Sequence, residues 1–111
     1  MDIRELGPLP ERVFFEEDED ALTAAKTLKS LGTAARRLLA QCMAESTLTR
    51  QKESAAAIAL SDVGFLFVRD TGDVFFKEVK LTVSLAGEEA LELLEFLESS
   101  AKGKRYLKEH V

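Results

Sequence analysis

The sequence predicts an α+β domain made of two N-terminal helical segments, a central antiparallel β-hairpin and a C-terminal amphipathic helix. Three observations lead there. Residues Val63 to Val68 form a run without a polar side chain, and a second strand beginning Val74-Phe75-Phe76 follows the turn residues Asp70-Thr71-Gly72. Before this pair, small and apolar residues recur at helical spacing, and after it Ala86, Ala90, Leu93, Leu94 and Leu97 do the same. Strands that are apolar on both faces near their turn need cover on each side, so one helix layer does not complete the hairpin.

Taken in chain order, Pro8 and Pro10 make the opening segment extended, and Val13-Phe14-Phe15 reads as a short strand ahead of the acidic run Glu16 to Asp20. Residues 1–19 are thus an extended acidic segment. A helix is expected from about Asp20, which serves as its cap, with Leu22, Ala25, Leu28 and Leu31 as its apolar stripe and Gly32 as its end. Thr33 then caps a longer helix in which Ala35, Leu38, Leu39, Cys42, Met43 and Ser46 share a face, continued by Ala56, Ala57 and Leu60. The polar stretch Glu45 to Glu53 leaves two readings, one helix or two, across residues 33–60.

Two hairpin registers fit. A two-residue Thr71-Gly72 turn pairs Leu66 with Lys77 and places the lysine beside the core. A three-residue loop with Gly72 in the left-handed conformation avoids this and is preferred. It sets Phe65, Phe67, Phe75, Val79 and Leu81 inside, and leaves Leu66, Val68, Val74 and Phe76 as an apolar outer tip. That tip has three possible covers: the segment Val13 to Phe15, a second copy of the chain, or a different protein.

Ser84 caps the last helix, which runs to Ser99 or Ser100. Opposite its core stripe lie Glu88, Glu92 and Glu95 with Phe96 among them, an aromatic ringed by carboxylates of the kind used as a binding anchor. Gly103 is expected to break this helix, leaving residues 101–111 as a basic tail that folds back, with Tyr106-Leu107 docked.

At 111 residues the chain has room for one core and one domain, residues 1–111. With 46% apolar and 32% charged residues it has the composition of a folded protein rather than a disordered one. A net charge of −5 argues against nonspecific binding to nucleic acid or an anionic membrane. The charge is laid out in blocks. Residues 1–20 hold eight acids and two bases, residues 84–100 hold five glutamates and no base, and residues 21–60 and 101–111 are net basic. Cys42 is the only cysteine, which favours a reducing, cytoplasmic home, and neither a leader-like nor a spanning apolar segment is visible.

No motif carries specific chemistry. His110 is the only histidine and lies next to the last residue, and one cysteine with one histidine makes no zinc site of the usual kind. The run Glu16 to Asp20 lacks the spaced ligands and turn glycine of a calcium loop. Asp70 and Asp73 flank Gly72 as turn residues do, and the glycines are too scattered for a phosphate loop. Arg36 and Arg37 diverge on their helix and have no aromatic between them, so nucleic-acid binding is not expected. No catalytic residue, cofactor or metal is therefore expected.

The expected function is a non-enzymatic protein-interaction module, a homodimeric adaptor, assembly factor or small chaperone. Its partner-binding residues are Leu66, Val68, Val74, Phe76, Glu88, Glu92, Glu95 and Phe96. The alternative is a small acidic inhibitor or immunity-type protein that blocks a basic site on a toxin or nucleic-acid enzyme. A third class, an enzyme using only carboxylates or lysine, has no motif to support it.

Overall fold

The computed structural model describes residues 3–110, the side chain of His110 excepted. A 3-10 turn at Ile3–Leu6 is followed by α1 (Asp18–Leu31), α2 (Thr33–Glu45), β1 (Leu48–Arg50), α3 (Ala55–Asp62), β2 (Leu66–Asp70), β3 (Val79–Val83), α4 (Leu85–Glu98) and α5 (Ala101–His110). The fold is α+β, and its sheet is antiparallel in the order β1-β3-β2. Helix α2 packs on β3 and α3 on β2, α4 lies against α1 and α2, and α5 packs on α4. Leucines dominate the core, with Leu22, Leu28, Leu39, Leu60, Leu81 and Leu94 among its fully buried side chains.

The stretch from Ser46 to Ser54 resolves the question of one helix or two. Helix α2 stops where Ser46 takes a φ of 65°, and Leu48–Arg50 then pairs with β3 as a third strand. Ser54 restarts the helix by accepting the Ala57 N–H at 3.1 Å. Three residues are too few to show alternation, and only Leu48 of the three is buried.

The hairpin register differs from both expected ones. Leu66 pairs with Val83, Val68 with Leu81 and Asp70 with Val79, so the connection spans residues 71–78 and Val74-Phe75-Phe76 belongs to it. Leu66 is buried and Val68 packs against the core, while Phe67 faces outward and is 62% exposed. The alternation of Val79 and Leu81 with Lys80 and Thr82 sets the faces of β3. The run Val63 to Val68 has no alternation, and a one-residue change of register reverses every side chain on it. Its position is set instead just before β2, where Phe65 N–H donates to Leu60 C=O at 2.9 Å and Phe65 C=O accepts Ser84 N–H at 3.1 Å. Gly72 is not left-handed. It is needed for space, since a Cβ there would lie 2.3 Å from Phe76 O.

Helix ends also depart from expectation at three places. Helix α1 begins at Asp18, with Glu17 in the cap position and no side-chain cap bond. Gly32 with φ 97°, not Thr33, stands before α2. The break after α4 comes from two serines rather than from Gly103. Ser99 Oγ donates back to Phe96 C=O at 2.7 Å, and Ser100 Oγ accepts Gly103 N–H at 3.0 Å to start α5. Gly103 is buried inside α5, and the basic tail is this helix, with Tyr106 and Leu107 in the core and Lys26 5.6 Å from the Tyr106 ring centre. Ser84 caps α4 as expected, accepting Gly87 N–H at 3.0 Å.

Candidate interaction surfaces

The connection between β2 and β3 is a built loop with an apolar crown. Thr71 and Gly72 N–H both donate to Glu78 C=O at 3.0 Å, closing its base. Asp73 N–H donates to Phe76 C=O at 2.8 Å, and one oxygen of the Asp73 carboxylate accepts the N–H groups of Phe75 and Phe76, each at 2.8 Å. Five N–H groups of the loop are thus bonded within it, while the side chains of Val74, Phe75 and Phe76 face solvent. Val74 is 95%, Phe75 87% and Phe76 74% exposed. Phe75 and Phe76 border a cleft shared with Gln51, Lys52 and Lys77, which gives the crown a basic flank.

Of the expected partner residues, Val74 and Phe76 stand on this crown, joined by Phe75, which the sequence reading had placed inside. Leu66 is corrected to a core residue and Val68 to a half-buried one packed against the core, because the register turns them away from solvent. Glu92 and Glu95 are exposed on α4, whereas Glu88 and Phe96 are half-buried and Phe96 packs against the core. Burial pushes the Glu92 carboxyl above its ordinary range, and the charges of Glu88, Glu89 and Glu95 push it the same way. At the end of α4, Glu98 instead meets Arg36 in a hydrogen-bonded pair and Lys29 at 3.9 Å. This cross-link from α4 to α1 and α2 holds the Glu98 carboxyl below its ordinary range, chiefly through the Arg36 hydrogen bond.

A second apolar surface was not foreseen. The segment Val13 to Phe15 is not a strand and leaves the hairpin loop uncovered. It is instead held by a carboxylate: Glu89 accepts N–H from Val13 at 2.9 Å, Phe14 at 2.8 Å and Phe15 at 3.0 Å. Arg12 locks the other side of the arm, donating to Phe15 C=O at 3.0 Å and pairing with Asp18. Glu89 is only 5% exposed. Its burial pushes the carboxyl upward, but the three N–H donors and the nearby Arg12 charge outweigh this and hold it below the usual range.

The restrained arm forms one wall of a groove of about 740 Å³. Phe14, Phe15, Ala24, Val63, Phe65 and Ala86 give it an apolar lining, and Glu16, Glu17 and Asp20 give it an acidic rim. The signal for this site was in the sequence as two adjacent features, the apolar triplet Val13 to Phe15 and the acidic run. What joins them is Glu89, which looks in sequence like one more acid of the α4 block.

Cys42 is fully buried, and desolvation raises its thiol pKa, which disfavours a thiolate. Among the described residues no group of three or more His, Cys, Asp or Glu side chains is placed to hold a metal ion. No helix among them is long and apolar enough to cross a membrane. The chain matches no protein-family model, no curated protein and no solved structure.

Proposed function

We propose that this chain is a non-enzymatic protein-interaction module of the adaptor, assembly-factor or small-chaperone kind, working in a reducing compartment such as the cytoplasm, and that its primary contact is the crown Val74-Phe75-Phe76. The observation that carries this reading is the exposure of three consecutive large apolar side chains on a loop held in shape by its own hydrogen bonds. Exposed aromatics cost solubility and gain nothing for the fold, while at an interface each phenylalanine can bury roughly 150–250 Å². Pre-ordering by Asp73 lowers the entropy lost on binding.

A second reading keeps the acidic-inhibitor alternative. Its support is Glu92, whose charge is disfavoured by its neighbours and would be relieved by a cationic partner. The two readings differ in salt dependence: crown binding, carried by apolar burial, falls only modestly at high salt, and binding through Glu92 and Glu95 falls steeply.

The test is a benzophenone amino acid placed at Phe75 and irradiated in living cells. A discrete protein adduct, formed with the chain itself or with another protein and lost on Val74→Ser with Phe76→Ser, is expected. If residue 75 gives no discrete adduct while the same probe at Glu92 does, the crown is not the contact and the acidic reading takes its place.

A further inference from the structure

We propose that the crown of one copy seats in the acid-rimmed groove of a second copy, and reciprocally, so that the chain forms a two-fold dimer with two crown-in-groove contacts. This rests on the reading of the crown as a contact element and names its receptor.

Three observations converge. The chemistry is complementary: the crown offers two exposed phenylalanines flanked by Lys52 and Lys77, and the groove offers an apolar lining under Glu16, Glu17 and Asp20. The placement is also suitable. The groove is lined by Val63, Gly64 and Phe65, immediately before β2, and the crown follows Asp70 at the other end of that strand. Five residues of strand separate the two by roughly 17 Å. A copy therefore cannot fill its own groove with its own crown, while two copies lying antiparallel present each crown to the other's groove. Area argues for reciprocity, since a stable interface buries about 1,200–2,000 Å² in total. One contact built on two phenylalanines, roughly 150–250 Å² each, buries about 600–1,000 Å² once the groove surface it covers is counted and falls short, and two such contacts reach that range.

The experiment measures solution mass by light scattering across about a hundredfold range of concentration, using full-length chains. The wild type should pass from the 12.3 kDa monomer to twice that mass. A crown variant, Phe75→Ser with Phe76→Ser, and a rim variant, Glu17→Lys with Asp20→Lys, should each associate at least about tenfold more weakly. Both sets of substitutions are on exposed side chains, and Glu17 makes no cap bond, so an unchanged thermal melt is the folding control. The deciding result is the mixture. Crown variant and rim variant together retain one good crown and one good groove, so the mixed dimer should form more tightly than either variant self-associates, though more weakly than the two-contact wild type. Adding Lys77→Glu to the rim variant should restore its self-association at low salt.

A wild type that stays monomeric throughout overturns the proposal. So does a rim variant that dimerises like the wild type while the crown variant does not, which would mean crown meeting crown. Self-association untouched by either variant places the interface elsewhere, for example on the open sheet face around Phe67. If the chain is monomeric yet residue 75 cross-links to a different protein in cells, the dimer is wrong and the interaction-module reading stands.

Discussion

The Glu89 carboxylate accepts the backbone N–H of Phe14 at 2.8 Å across 75 residues of sequence, and with the neighbouring bonds to Val13 and Phe15 it fixes the N-terminal arm to α4. Hydrogen bonds to a buried charged acceptor are worth about 1.5–3 kcal/mol each at most, and these three share one carboxylate. Glu89→Ala should therefore cost about 2–3 kcal/mol, while Glu89→Gln, which keeps one carbonyl oxygen, should cost less. Amide exchange at residues 13–15 should accelerate more than exchange in the core of α4. Equal acceleration everywhere would show that the loss is global and that the arm has no separate anchor.

The same carboxylate makes the arm acid-labile. Its folded pKa lies below that of a free glutamate, about 4.3, so its stabilisation is complete above roughly pH 5. The contribution falls as pH drops through the folded value, because the protonated acid no longer accepts three N–H bonds. Glu98, held down by Arg36, adds in the same direction. Stability measured by urea melts should decline below pH 5, and Glu89→Gln should flatten that decline. A decline of undiminished steepness in the variant would assign the acid sensitivity to other carboxylates.

How much of this was legible in the sequence depends on which interactions are local. The serine cap of α4, the leucine stripes and the strand alternation of Val79 to Val83 are set by residues within a turn or two, and they appear where the pattern puts them. The faces of β2 were not legible, because Val63 to Val68 is apolar at every position and its register depends on Leu60 and Ser84. Strand β1 exists because β3 offers it an edge, not because three residues prefer it. Gly103 reads as a breaker by propensity and is a packing residue by contact. Glu89 has the same sequence appearance as Glu88 and Glu92, and only the folded arm distinguishes it.

Glu92 should be a position where removing charge stabilises. Glu88, Glu89 and Glu95 lie three or four residues away on the same helix, and each like-charged pair costs about 0.2–0.5 kcal/mol. Glu92→Gln should raise stability by about 0.5–1 kcal/mol at neutral pH and low salt, and by less when salt screens the charges. An unchanged melting temperature at low salt would mean that the carboxylates avoid one another in solution.

Gly103→Ala separates two opposing effects by sign. Helix propensity alone predicts that alanine stabilises, by up to about 0.8–1.0 kcal/mol in a helix interior and by less in the first turn, where Gly103 lies. A Cβ at residue 103, however, would lie 2.0 Å from Leu97 O and 2.5 Å from Leu97 Cα, backbone atoms of α4 that cannot swing aside. Overpacking of this kind costs about 1–3 kcal/mol, so the variant should be destabilised and α5 should loosen from α4 first. A stabilised Gly103→Ala would show that the two helices separate easily at this crossing.

Asp73 is the residue through which loop order and binding can be separated. Its Oδ1 accepts both Phe75 and Phe76 N–H at 2.8 Å, on an exposed loop where water can replace it. Asp73→Ala should therefore leave the melting temperature nearly unchanged, within about 0.5 kcal/mol in stability. Association through the crown should nevertheless weaken, by about tenfold for each 1.4 kcal/mol of ordering cost moved into the binding step. Asp73→Asn keeps an oxygen acceptor at the same place and should recover most of the affinity. Because the substitution touches no side chain of the crown, a weakened Asp73→Ala with a restored Asp73→Asn assigns the loss to pre-ordering. If Asp73→Ala associates as tightly as the wild type, the crown folds onto its partner without help from the carboxylate, and the hydrogen bonds at its base from Thr71 and Gly72 to Glu78 are sufficient to present it.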